Sequence, residues 1–184
     1  MDLDILINIL LIIVIIVALF FISCYNSLVH KQAKTDECAS NIQISLKERF
    51  DLVPNLVETV KGYTKHESGT LEDVTKARQG YKEDDFNIKN IENSEHSINR
   101  LIAVAESYPD LKASAQYQSL SSKLQQLEDR INIARHRYNR VTADYNIKVQ
   151  KFPSSIVAKI FNFQKKDLFK LTSDKEQENV TVKL

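Results

Sequence analysis

"YQSLSSKLQQLEDRINIARHRYNRVTADY", residues 117–145, places Tyr117, Leu120, Leu124, Leu127, Ile131, Ala134, Tyr138, Val141 and Tyr145 in steps that alternate three and four. Side chains at that spacing share one face of an α-helix. A seam of this kind packs at roughly 20° against antiparallel neighbours, the geometry of four-helix bundles. The helix extends about 40 Å at about 1.5 Å per residue. Its tyrosines read as core residues with a wet hydroxyl end. The pattern predicts an all-α fold with long helices. Three Gly, three Pro and no Trp agree with it, because sheets need turn residues every 8 to 12 positions or so.

Downstream, Phe152, Pro153 and Ser154 end this helix, and "SIVAKIFNFQKKDLFK", residues 155–170, alternates apolar residues with lysines. An up-and-down bundle of four helices brings the end of the fourth back to the side where the first entered. An amphipathic C-terminal helix over residues 153–172 is therefore expected at a membrane surface, with Lys159, Phe161, Phe163, Lys165 and Lys166 as the contact residues. The alternative is a short helix that closes the end of the bundle. Residues 173–184 are polar and read as a frayed tail.

Upstream, Ile91, Ile98, Leu101, Ile102, Ala105 and Tyr108 describe a third helix that stops before Pro109. "KEDDFN", residues 82–87, is a charged loop. Ser68, Gly69 and Thr70 punctuate the chain ahead of a second helix over residues 71–81. Ala39, Ile42, Leu46, Val53, Leu56, Val60 and Tyr63 form the stripe of the first bundle helix. Pro54 removes a backbone bond to the carbonyl of Phe50, so a kink or a fresh start is expected near Leu52.

That first helix has no breaker separating it from the N-terminal residues 1–24. Ile5 to Ile22 carries no charge and one strongly polar side chain, Asn8. As a helix this run covers about 27 Å, close to the ~30 Å of a bilayer core and longer than a signal-peptide apolar region. Acidic Asp2 and Asp4 precede it, whereas a secretory signal begins with positive charge. The run reads as an uncleaved anchor for a bundle spanning residues 25–152. Lys31 and Lys34 follow it and no Lys or Arg precedes it. The positive-inside bias then puts the N-terminus outside and the bundle in the cytoplasm. A periplasmic lipoprotein anchored at Cys24 is the alternative, since "FISC" places Ser23 before that cysteine, although Phe21 and Ile22 are bulky. Cys24 and Cys38 are 14 positions apart, or about 21 Å along one helix, far beyond disulfide reach. Both are expected as free thiols.

Twenty-five Lys and Arg against 24 Asp and Glu leave no global field to attract nucleic acid. His30, His66, His96 and His136 are scattered without metal-site spacing, and no phosphate loop or nucleophile motif occurs. No enzyme, cofactor or metal is expected. The polar residues that invite attention are Arg49, Asp51 and Asn55 around Pro54, with Asn139 and Asn146 in the last long helix. They either satisfy backbone groups freed by the proline or line a groove that receives a protein partner. "RHRYNR", residues 135–140, reads as a solvated basic face.

"YNSLV" at residues 25–29, "LKERFDLVPNLVETVKGYTKHE" at 46–67, "RLIAVAESYPDLKAS" at 100–114 and "RINIARHRYNRVTADYNIKVQKFPSSIVAKIFNF" at 130–163 closely resemble the LemA family of bacterial membrane proteins. The resemblance runs in order over nearly all of the chain beyond the apolar segment. The family usually has a tryptophan near Ala39 and a glycine near Ile160, departures that bear on local packing rather than fold. The resemblance implies an N-terminal span and an antiparallel helical bundle, and no established reaction. Some members look like lipoproteins with a cysteine just before the Tyr-Asn pair, the place Cys24 holds here. The expectation is a single-pass membrane scaffold or adaptor in contact with the lipid bilayer and an unknown protein partner. A lipid-sensing or membrane-remodelling module acting through the C-terminal helix is the alternative.

Overall fold

The computed structural model describes residues 3–62 and 86–169. Five helices follow one another: α1 (Leu3–Lys61), α2 (Ile88–Glu106), α3 (Pro109–Ala113), α4 (Ala115–Gln150) and α5 (Ser154–Ile160), with no strand among the described residues. The helix expected at residues 71–81, its punctuation at Ser68 to Thr70, most of the 82–87 loop and the polar tail lie outside the described residues.

α1 is 59 residues long, about 88 Å at about 1.5 Å per residue. Its apolar segment is exposed up to Phe20 and is a candidate membrane span. Burial begins at Cys24 and continues on one face through Leu28, Cys38, Ile42, Leu46, Phe50, Val53, Leu56 and Val60. The helix continues through Pro54 without the fresh start expected near Leu52. Pro54 itself is on the exposed flank. Buried Val53, Leu56 and Val57 hold the turns on either side in the core.

α4 runs antiparallel to α1. Arg130 pairs with Glu48 at 3.0 Å and Arg137 with Glu37 at 3.7 Å, so numbers fall on one helix as they rise on the other. Seven of the nine seam residues are buried, and Ala134 and Val141 pack half-buried against them. Ser114 caps α4 by accepting the amide of Tyr117 at 3.2 Å, and Asn87 caps α2 by accepting that of Asn90 at 3.2 Å. α2 stops at Glu106 before Pro109, which opens α3. α2 contributes Ile91, Ile98, Leu101 and Ala105 to the core it shares with α1 and α4.

The C-terminal end of α4 returns to the point where α1 leaves its apolar segment. There α5 packs Val157 and Ala158 onto Cys24 and Leu28, with Phe21, Val149 and Phe163 around them. The amphipathic helix expected over residues 153–172 ends instead at Ile160. Asn162 adopts a left-handed conformation, φ 57°. The amide of Phe163 then donates to Ala158 O at 2.9 Å and that of Asn162 to Lys159 O at 3.3 Å, the paired bonds that close a helix C-terminus. Beyond it the chain continues without helix as a strap, residues 163–169.

Candidate functional site

The five polar residues singled out as a cluster occupy three separate places. Arg49 is almost completely buried, 2% exposed, whereas Asp51 and Asn55 lie on the exposed flank of α1. Two residues along a helix are about 200° apart around its axis, so closeness to Pro54 in sequence does not put Asp51 beside Arg49.

Asn139 and Asn146 hold the strap. Asn146 donates from Nδ2 to Lys166 O at 2.8 Å while its Oδ1 accepts the Lys166 amide at 3.0 Å. Asn139 does the same for Phe169, donating to its carbonyl at 2.8 Å and accepting its amide at 2.9 Å. The tyrosine before each asparagine adds a further bond: the Tyr145 hydroxyl donates to Gln164 O at 2.8 Å, and that of Tyr138 to Asp167 O at 3.1 Å. Burial pushes both phenols above their ordinary values, with Asp36 adding to the shift in each, so both remain protonated donors.

The spacing explains the fit. Seven helical residues rise about 10.5 Å and three extended residues cover about 10 Å, so Tyr-Asn pairs one heptad apart meet every third residue of an extended chain. The Tyr-Asn pairs along α4 thus read peptide backbone. That backbone is the chain's own C-terminal strap.

A buried ionic chain runs from Arg49 towards the end of the strap. Arg49 pairs with Glu128 of α4, lies 3.8 Å from Glu95 of α2, and donates to Asn99 Oδ1 at 2.9 Å. Glu95 pairs in turn with Arg135, whose guanidinium stacks 4.9 Å above the Phe169 ring. Phe169 is buried edge-on between Phe86 and Tyr138. Burial raises the Glu95 carboxyl above its ordinary value, and the adjacent Arg135 opposes the shift. Two arginines and two glutamates thus tie three helices together and press on the strap. Of the "RHRYNR" face expected in solvent, Arg135 turns inward to this network and Arg137 pairs with Glu37.

Glu95, Glu128 and Arg135 were not among the sequence candidates, although a signal existed. The apolar stripe of α2 skips from Ile91 to Ile98, and Glu95 fills that gap. On α1, Arg49 stands beside Phe50 on the buried face with the opposite charge.

The five expected membrane-surface residues also separate. Lys159 and Phe161 are exposed at the base of the bundle, where Phe161 stacks on Tyr25 at 4.7 Å. Phe163 is half-buried beneath them. Lys165 and Lys166 leave the base on the strap, and Lys166 pairs with Asp36, which is about 18 Å beyond Cys24 along α1. His30, His96 and His136 are exposed on different helices; His66 lies outside the described residues.

Comparison with known proteins places this architecture. The chain is 28% identical over 148 residues to Protein LemA of Metamycoplasma hominis, an alignment covering 78% of this chain and 65% of that protein. It is 34% identical over 74 residues to magnetosome proteins MamQ 1 and MamQ 2 of Paramagnetospirillum magneticum, covering 40% of this chain and 27% of theirs. The chain thus spans under two thirds of the length of the relatives it matches. A family model described as LemA family matches residues 38–184, which contain α2 to α5, the Tyr-Asn rail and most of the buried face of α1. On that match, the chain belongs to the LemA family.

Proposed function

We propose that the chain is a non-enzymatic, single-pass membrane scaffold or adaptor whose cytoplasmic bundle gathers other proteins at the inner face of the cell membrane. The observation that carries this reading is α1, one helix from an exposed apolar segment into the buried core. Confining a bundle to a surface raises the effective concentration of whatever it binds there. Lys31 and Lys34 after the apolar run support a cytoplasmic body. Burial of Cys24 in mid-helix against Val157 and Ala158 favours an uncut α1 over lipidation at that cysteine.

α1 and α2 run in the same direction and both oppose α4. Phe86, just ahead of α2, packs 5.3 Å from Tyr138, far along the bundle from Gly62. Two parallel helices opposed by a third are what an antiparallel four-helix bundle requires of α1, α2 and α4. Asp51 and Asn55, left outward on α1, are the partner-facing positions of this reading.

Photo-crosslinking amino acids placed at Asp51 and Asn55 of the full chain in native membranes test it. Discrete protein adducts are expected, and adducts with lipid alone or none at all would refute the scaffold role. A C-terminal fluorescent fusion is expected to be bright and a phosphatase fusion inactive; the reverse places the body outside.

A second reading, a module that lies on the lipid surface, is favoured by the base of the bundle. Phe152, Ile156, Ile160 and Phe161 are exposed there at 74, 45, 62 and 52%, level with the end of the apolar segment. Crosslinks from Ile160 to acyl chains support it.

A further inference from the structure

At the base of the bundle a cleft of about 420 Å³ opens between α1 and the turn from α4 to α5. Its walls include Phe20 and Lys31 from α1, Asp144 and Lys148 from α4, and Lys151 and Phe152 from the turn. Phe20 belongs to the uncharged apolar segment and Lys31 is eleven residues further on, so the cleft straddles the level at which α1 leaves the apolar phase. Its lower wall is apolar, with Phe152 at 74% exposure, and its upper wall is cationic.

The charge pattern distinguishes this cleft from the flank above it. Higher on the bundle, cations are matched by carboxylates across the elements: Lys166 with Asp36, Arg137 with Glu37, Arg130 with Glu48. None of the ammonium groups of Lys31, Lys148 and Lys151 is in an ion pair among the described residues. Asp144, the one acid in the wall, leaves a surplus of two positive charges. Ser154 Oγ, also in the wall, is already committed to the carbonyls of Lys148 and Lys151, at 2.7 and 2.8 Å, and fixes the turn that presents both lysines.

We propose that this cleft binds the headgroup of an anionic glycerophospholipid, with the lysines around its phosphate and its acyl chains lying along Phe20 and Phe152. Charge complementarity selects an anion, and the apolar lower wall at the membrane level selects one that carries hydrocarbon. A zwitterionic lipid brings its own cation against the lysines and gains less. The inference rests on the reading that residues 5–22 span the bilayer.

The test uses the full chain in nanodiscs of mixed zwitterionic phosphatidylcholine and anionic phosphatidylglycerol, followed by native mass spectrometry of retained lipid. The wild type is expected to retain phosphatidylglycerol selectively. K148Q/K151Q, altered at solvent-accessible positions, should retain it roughly thirtyfold less, at roughly 1 kcal/mol per lysine. K165Q, outside the cleft, should match the wild type. Equal retention by K148Q/K151Q and the wild type, or no preference for the anionic lipid, overturns the proposal. Displacement of the lipid by excess inorganic phosphate overturns it in favour of a soluble anion. Extraction of the chain from membranes by alkaline carbonate sinks the anchoring reading instead, whereas an integral chain without anionic lipid sinks the cleft alone.

Discussion

Replacing Asn146 by Ala removes both bonds that hold the peptide group of Lys166, its amide at 3.0 Å and its carbonyl at 2.8 Å. Each is worth about 1 kcal/mol net, so opening of the strap at that point becomes easier by about 2 kcal/mol, roughly thirtyfold. Amide hydrogen exchange of the full chain in nanodiscs reads this directly, because strap amides exchange through local opening rather than global unfolding. In the wild type the protected amides among residues 164–169 should be Lys166 and Phe169, three positions apart. Lys165, Asp167 and Leu168, whose amides face no asparagine, should exchange freely. N146A should accelerate Lys166 by about thirtyfold with a smaller effect at Phe169, and N139A the reverse. N146D should be worse than N146A, since a carboxylate oxygen then faces the Lys166 carbonyl without a proton between them. Uniform protection along residues 164–169, or a Lys166 rate unchanged by N146A, would refute the backbone-reading rail.

Three further outcomes follow from the buried polar chain and the helix end. R49A leaves Glu95 and Glu128 without their shared cation and should cost about 3–5 kcal/mol in chemical unfolding; adding E95Q and E128Q to R49M should restore much of it. The raised Glu95 value means that, between its ordinary 4.5 and the folded value, the folded chain holds one more proton than the unfolded. Stability should therefore fall as pH rises through that interval, and E95Q should abolish the slope in pH-dependent melts. N162A forces a β-carbon residue without local side-chain bonding into the left-handed position and should lower stability by about 1 kcal/mol, while N162G should be neutral or better in thermal melts.

The helices were legible because burial follows local periodicity. The seam from Tyr117 to Tyr145 repeats a spacing that only one secondary structure satisfies, and the stripe of α1 joins the apolar segment with no breaker to part them. The end of α5 was also written locally, in Asn162, but seven apolar residues among lysines outweighed one asparagine. The buried network was half-legible: Glu95 stands in a gap of the α2 stripe and Arg49 on the apolar face of α1, yet which glutamate meets which arginine depends on helix rotation. The rail was the least accessible. Two asparagines a heptad apart are visible in the sequence, but the extended segment that they hold has no periodicity of its own. Its register is set only when α4 and the strap lie side by side.

Unjointed helix through the exit point has a directional effect. Because α1 does not break between Phe20 and Leu28, the compass bearing of the body is locked to that of the apolar segment. One residue inserted after Ile22 would swing everything beyond it by about 100° and lift it by about 1.5 Å, leaving each core contact past Leu28 intact while turning a different flank towards the neighbours. The apolar segment thereby decides which way the body looks.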